Sequence, residues 1–282
     1  MSSDTKTAAA FASSWNNLPP GSVYTREQYE DWMAPLGHSD IAGKDVLELG
    51  CGNGSLLTHT ADWNPARLVG VDLGDSVQSA RQNLQRGGHG SSTTVLQADL
   101  VEFRSEGFDV VYCIGVLHHL KAPKQGFDSV VANTRPGGRF HCWVYAREGN
   151  AIVRLIVEPV RAIASRLPWW VTKYFVATPL VFPYFLYAKT IRVADNTGSK
   201  AVRNLLGKLP LYEYSLWIAR RGFSFFRHVA FDQIVTPQTI YVSRDMVEGW
   251  LSANPVIDPD STYIVMRNGN SWKFGGKTRI ER

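Results

Sequence analysis

Three groups of residues in this 282-residue chain are of types that do chemistry: a glycine loop, two acids that follow it, and a pair of histidines. The loop is Glu48-Leu49-Gly50-Cys51-Gly52-Asn53-Gly54, set between an apolar run and a helical pattern. Glycine lets a backbone turn tightly and lie close against a bound molecule, and a helix start offers it unpaired N–H groups. The spacing is GxGxG rather than the GxGxxG of the dinucleotide fingerprint, which disfavours the rival reading of a nicotinamide enzyme. Asp72 stands 18 residues beyond Gly54, where a carboxylate can accept hydrogen bonds from both hydroxyls of a ribose. Asp99, in Gln97-Ala98-Asp99-Leu100, could accept from an adenine amino group. Beyond Ile114-Gly115, His118 and His119 are candidates for proton removal near neutral pH. Adjacent residues point different ways, so packing is the competing role for each of the two.

These groups need a scaffold, and the pattern around them supplies one. Short apolar runs at Asp45–Gly50, Arg67–Leu73, Thr93–Ala98, Phe108–Ile114 and Arg139–Tyr145 read as buried strands. Helical patterns at Ser55–Asp62, Asp75–Arg86 and Gly126–Thr134 separate them. Strands alternating with helices predict a doubly wound α/β sheet with helices on both faces, whose ligands sit at the carboxyl ends of the strands. Pro136-Gly137-Gly138 reads as a turn into the fifth strand, which carries His141 and Tyr145 on one face. Near the end, Ser243–Ala253 reads as a capped helix, Thr262–Met266 as a strand, and Asn268-Gly269-Asn270 as a hairpin turn into a return strand from Ser271. The sheet is therefore expected to be mostly parallel, with an antiparallel strand at its C-terminal end.

Charge divides the chain further. Residues 1–150 hold 12 basic and 16 acidic residues, a net charge of −4, whereas residues 151–230 hold 12 and 3, a net +9. That middle stretch also holds 14 of the 33 Phe, Trp and Tyr residues, a composition shift that marks an insert. The organisation expected is an N-terminal helical cap (1–40), a core (41–150), an apolar, basic, helical insert (151–230) and a C-terminal part of the sheet (231–282). Tyr174–Ala188 is uncharged, but its 15 residues and two prolines are too short and too broken for a bilayer span of ~20 residues. Cys51, Cys113 and Cys142 include no close pair, which excludes a disulfide framework or CxxC zinc site and suits a reducing, cytoplasmic setting. The first residues lack the basic-then-apolar pattern of a secretory leader.

The motifs VLELGCGNG (46–54), GVDL (70–73), QADL (97–100), FDVVYCIGVLHHL (108–120) and PGGRF (136–140) stand in an order that resembles the class I S-adenosylmethionine-dependent methyltransferases, in their small-molecule branch. The resemblance implies a Rossmann-like methyltransferase sheet. It also implies S-adenosyl-L-methionine as cofactor, S-adenosyl-L-homocysteine as its product, and in-line methyl transfer to an O, N, S or C nucleophile. Carried over residue by residue, Glu48, Gly50, Cys51, Gly52, Asn53 and Gly54 cradle the methionine part. Asp72 with Leu73 takes the ribose, Ala98, Asp99 and Leu100 the adenine, and Ile114 and Gly115 border the cofactor. No Asn/Asp-Pro-Pro-aromatic motif follows the fourth strand, which speaks against adenine or glutamine-amide acceptors, and no metal constellation is apparent, so metal independence is expected.

The acceptor side is less legible. Catalytic candidates are His118, His119 and Tyr24. Tyr24 belongs to a leading aromatic group with Phe11, Trp15, Tyr29 and Trp32, which either covers the site or anchors a helix on the core. Tyr145, His228 and Asp232 are substrate candidates, with structural bonding the competing role for His228. Three readings stand for the insert: a lid over a hydrophobic or anionic small-molecule acceptor, a peripheral membrane contact, or a homodimer interface. Nucleic acid is disfavoured because the insert is apolar first and basic second. The alternative function is a methyltransferase-fold protein that binds cofactor without turnover, as a membrane-surface or assembly partner.

Overall fold

The computed structural model describes residues 24–236 and 238–280, so Phe11 and Trp15 lie outside the described residues. Strands β1 (Asp45–Leu49), β2 (Arg67–Asp72), β3 (Thr93–Gln97), β4 (Phe108–Ile114) and β5 (Thr134–Tyr145) run parallel, and β6 (Ile257–Arg267) and β7 (Ser271–Thr278) add the antiparallel C-terminal end. The seven strands lie in the order β3-β2-β1-β4-β5-β7-β6. This is the mostly parallel, Rossmann-like sheet that the alternation of strands and helices predicts. Val46, Leu47, Val110 and Val111 are buried because helices cover both faces, and so central strands read as apolar runs. The chain winds outward from β1 to β3, then crosses back to β4 and β5. That reversal makes the carboxyl ends of β1 and β4, at Gly50 and Gly115, the topological switch point where ligands of such sheets bind.

Local chemistry explains the flanking helices. Helix α1 (Arg26–Met33) starts with a capping box: the Thr25 hydroxyl accepts from the Gln28 N–H at 3.3 Å, and the Gln28 side chain accepts from the Thr25 N–H at 3.0 Å. After α2 (Ser55–Ala61), α3 (Ser76–Arg86) buries Val77, Ala80 and Leu84 on one face. Helix α4 (Pro123–Ala132) begins three residues earlier than its apolar pattern suggests, since Pro123 presets the first helical φ and lacks only an N–H that would be unpaired there. Strand β5 also begins early. Phe108 pairs with Thr134 but Val110 pairs with Arg139, so Pro136-Gly137-Gly138 is a bulge inside the strand rather than a turn before it.

His141 is fully buried on β5. Its Nε2–H donates to the Trp32 carbonyl at 2.7 Å, and its Nδ1 accepts from the Tyr263 hydroxyl at 2.6 Å. Burial lowers its pKa to about 4, so it is a neutral bridge between α1 and the sheet.

The chain divides into two compact units. One comprises the residues up to Tyr145 with 240–265 and 272–282, and the other residues 146–239 with 266–271. The second is helical: α5 (Ala151–Ala164), α6 (Thr178–Thr197), α7 (Lys200–Leu206), α8 (Tyr212–Ala219) and α9 (Phe223–Val235). A short helix, Trp169–Val171, and a π segment, Thr172–Ala177, lead into α6. Val181, Ala188, Ile218, Phe226 and Ala230 form its core, with Tyr184, Phe185, Tyr214 and Trp217 packed against them. Lys189 and Arg192 both donate to the Ala219 carbonyl at 2.8 Å, which satisfies the C-terminus of α8 with cations where its dipole favours them. No helix among the described residues is long and apolar enough to cross a membrane.

Candidate active site

The glycine loop begins where β1 ends. The N–H groups of Gly50 and Cys51 both donate to the Val71 carbonyl, at 2.7 and 3.0 Å, which ties the loop to β2. Gly50, Gly52 and Gly54 have φ of 84°, 51° and 76°, the left-handed region where a Cβ is strained. A Cβ on Gly50 would meet the Val116 side chain at 2.4 Å, and one on Gly54 would lie 3.0 Å from Cα of Ala80. The second contact is with helix backbone, which cannot rotate away. Gly54→Ala is therefore expected to cost ~1–3 kcal/mol of stability, read as a lower thermal midpoint. An unchanged midpoint would show that α3 yields.

Asp72 closes this loop from the next strand. Its Oδ2 accepts from the Gly52 N–H at 2.9 Å, and its Oδ1 accepts from the Gly74 N–H at 2.9 Å and the Ser76 hydroxyl at 3.0 Å. A carboxylate has about four acceptor positions, so at least one remains for a ligand hydroxyl. Asn53 accepts from the N–H and hydroxyl of Ser55, and its own carbonyl accepts from Asn83 at 3.0 Å, so the loop is pinned from both sides. At the end of β3 the Ala98 N–H donates to the Asp72 carbonyl at 2.9 Å. The Val101 N–H holds one Asp99 oxygen at 2.8 Å. Leu73 and Ala98 are half-buried, and Leu100 is buried.

Glu48 lies beneath the loop, 1% exposed. The Tyr112 hydroxyl donates to it at 3.0 Å, and that hydroxyl is 2.7 Å from the Thr60 hydroxyl, which in turn lies 3.0 Å from the hydroxyl of Tyr29. Burial raises the Glu48 pKa to about 8, against the hydrogen bond from Tyr112 and with a further push from the Asp72 charge. Burial pushes the Tyr112 and Tyr29 hydroxyls up as well. Motif spacing points to Glu48 but not to Tyr112, Thr60 and Tyr29.

At the end of β4, Ile114 is buried and Gly115 turns at φ 80°, its N–H held by the Trp143 carbonyl at 3.0 Å. The Trp143 ring runs beside it, 3.5 Å from where a Cβ of Gly115 would sit. Trp143 also packs on Trp32, Tyr145 and His118, with ring centroids 5.9, 5.2 and 5.9 Å away. Tyr145 continues this wall to Tyr241 at 6.3 Å, and Tyr24 stands edge-on to Trp32 at 4.7 Å. His118 and His119 are buried and adjacent, their rings 4.1 Å apart, and the His118 ring lies 4.3 Å from Tyr145. The Tyr145 N–H points at His118 Nδ1 from 3.4 Å.

The structure thus gathers Tyr24, His118, His119 and Tyr145 around one aromatic wall, and the glycine loop, Asp72, Asp99, Ile114 and Gly115 at the adjoining strand ends. His228 and Asp232 belong to α9 of the helical unit rather than to the sheet. Trp143 has no place among the sequence candidates. Its indole N–H is buried without a hydrogen-bond partner. Strand alternation with His141 and Tyr145 was the signal that could have found it.

A family profile described as a methyltransferase domain matches residues 47–142, from β1 to β5. Over that segment, which is well under half of the chain, this protein is similar to class I S-adenosylmethionine-dependent methyltransferases. Among curated proteins, an uncharacterized protein from Synechococcus is 32% identical over 148 residues, covering 50% of this chain and 35% of its own length. A ubiquinone biosynthesis O-methyltransferase from Pseudomonas syringae is 31% identical over 121 residues, covering 42% of this chain and 52% of its own. A tRNA U34 carboxymethyltransferase from Nautilia profundicola is 29% identical over 139 residues, covering 46% and 43%. The matched segments thus span about half or less of these relatives' own length. Magnesium protoporphyrin IX methyltransferase from Synechocystis, solved with S-adenosylhomocysteine bound, shares the fold of this chain at TM-score 0.54 and 12% identity, covering 98% of this chain and 97% of that one.

Proposed function

We propose that this chain transfers a methyl group from S-adenosylmethionine to a nucleophile on an apolar, planar small molecule. What carries the cofactor assignment is the cradle itself: three left-handed glycines tied through Gly52 to the Asp72 carboxylate. The residues fit the group, because the left-handed glycines keep the turn free of side chains and the Asp72 carboxylate keeps acceptor capacity. When bound, S-adenosylmethionine supplies a methyl group already activated on a sulfonium. The protein's task is then to hold and orient both partners and to exclude water. In this reading Asp72 accepts from the ribose, Asp99 from the adenine edge, and Glu48 balances the cationic amino acid end.

Tyr24 and Tyr145, half-buried, offer the acceptor flat apolar surface, backed by the buried rings of Trp143 and Tyr241. The names of the relatives divide between small-molecule and RNA acceptors. The net −4 of residues 1–150 favours the first, since RNA binding draws on a basic surface.

In its neutral form, His118 accepts the Tyr145 N–H at Nδ1 and so carries its proton on Nε2, facing its surroundings as a donor. Its role in this reading is to position Tyr145, not to remove the acceptor's proton. His118→Ala is then expected to lower kcat about tenfold with no loss of the acidic limb of the pH–rate profile, and His118→Asn to recover part of it. Disappearance of that limb in His118→Ala would make His118 the base.

Calorimetric titration with S-adenosylmethionine and its demethylated product, then single-turnover assays on apolar phenols, amines and thiols, tests the whole reading. Failure to bind either cofactor form overturns it. Tight binding with no transfer to any acceptor favours a binding protein without turnover.

A further inference from the structure

We propose that the helical unit attaches this protein to an anionic lipid surface through the outward face of α5 and the segment that follows it. In a water-exposed amphipathic helix the apolar stripe faces inward and the charges face out. Helix α5 departs from this: an apolar stripe faces out, interrupted by the Arg154–Glu158 ion pair. Leu155, Pro159, Ala162 and Ile163, spaced at helical intervals, are all exposed, Leu155 by 78% and Ile163 by 70%. Arg161 is buried instead, its Nε donating to the Gln233 carbonyl of α9 at 2.8 Å.

The apolar surface continues past α5. Trp170 is 49% and Phe175 70% exposed, and their rings meet edge to face at 6.1 Å. Two large aromatics that pair with each other while facing solvent form a patch rather than scattered apolar residues, and such patches mark interaction sites.

The charge of the unit selects its occupant. Residues 151–230 carry a net +9, and Arg166, Lys200, Arg203, Lys208 and Arg220 are exposed. A second copy would bring two such basic surfaces together, and their repulsion opposes association. An anionic bilayer takes up the apolar side chains and attracts the cations at once. Tryptophan, tyrosine and arginine are also the side chains that settle at the level of the headgroups. No helix among the described residues is both long and apolar enough to span, so the contact proposed is one lying on the surface.

Flotation of the full chain with phosphatidylcholine vesicles, alone or mixed equally with phosphatidylglycerol, tests this. Association with the anionic vesicles, weakened by high salt, is expected. Ile163→Glu and Phe175→Glu, both at exposed positions, are expected to weaken partitioning at least about tenfold. Doxyl-labelled lipid is expected to quench part of the tryptophan fluorescence, and Trp170→Phe to abolish that part. This arm does not depend on the glutamate variants. No flotation at low salt overturns the proposal, as does flotation that neither glutamate substitution alters. A dimer in sedimentation that Ile163→Glu dissociates also overturns it, by giving the face to a second copy.

Discussion

Replacing Asp72 by Ala is expected to weaken binding of S-adenosylhomocysteine at least about tenfold. A hydrogen bond between a ribose hydroxyl and a charged acceptor is worth roughly 1.5–3 kcal/mol, and the one acceptor position left on Asp72 makes one such bond, about one to two decades in Kd. The loss is compounded within the protein. Asp72 accepts from the N–H groups of Gly52 and Gly74 and from the Ser76 hydroxyl, so its removal leaves three donors to re-pair and frees the centre of the glycine loop. Asn is not a gentle substitute. Its amide nitrogen would face either the Gly52 or the Gly74 N–H, donor against donor, so Asp72→Asn should resemble the Ala variant more than the parent. Calorimetric titration at fixed pH measures both. A Kd within a few-fold of the parent in both variants would remove Asp72 from the cofactor site.

That carboxylate was legible in the sequence because everything it needs is local to a βαβ unit: an apolar strand, a glycine turn and an acid at the end of the next strand. The capping box of Thr25 and Gln28 is local in the same way, its two partners three residues apart. What could not be read depends on contacts between distant segments. Glu48 touches Tyr112, Tyr112 touches Thr60, and Thr60 touches Tyr29, which draws β1, β4, α2 and α1 into one buried chain. No periodicity encodes which of several polar residues on those elements will meet. The bulge in β5 was hidden because Pro136-Gly137-Gly138 is as good a turn as a bulge, and only pairing with β4 decides. In α5 the apolar spacing is plain, but a helical period says that a face is apolar, not that it faces inward. For His141 and His118 the sequence offers the same side chain twice. One is locked between Trp32 and Tyr263, and the other faces an aromatic wall.

Replacing Glu48 by Gln is expected to change how the protein responds to pH, both in stability and in cofactor binding. Glu48 has a raised pKa in the folded state, about 8 against 4.5 in an unconstrained chain. Between those values the folded protein holds a proton that the unfolded chain has released. The stabilisation associated with that proton is fully present below pH 4.5 and is lost as pH rises through 8, at up to about 1.4 kcal/mol per pH unit from this group. The unliganded parent should thus lose thermal midpoint between about pH 6 and pH 8. Glu48→Gln, neutral throughout, should fall less steeply and be the more stable protein at pH 8 and above. Binding a ligand with a cationic amino group reverses the preference, because the cation favours the carboxylate and lowers its pKa. Near pH 7, binding of S-adenosylmethionine should therefore release a proton and tighten as pH rises, by as much as about tenfold per unit. Titration in two buffers of different ionisation enthalpy counts that proton directly, and Glu48→Gln should release none. Parallel stability curves for parent and variant would mean that Glu48 is already ionised in the fold. Equal proton release from the two would mean that the cofactor's amino group is balanced elsewhere.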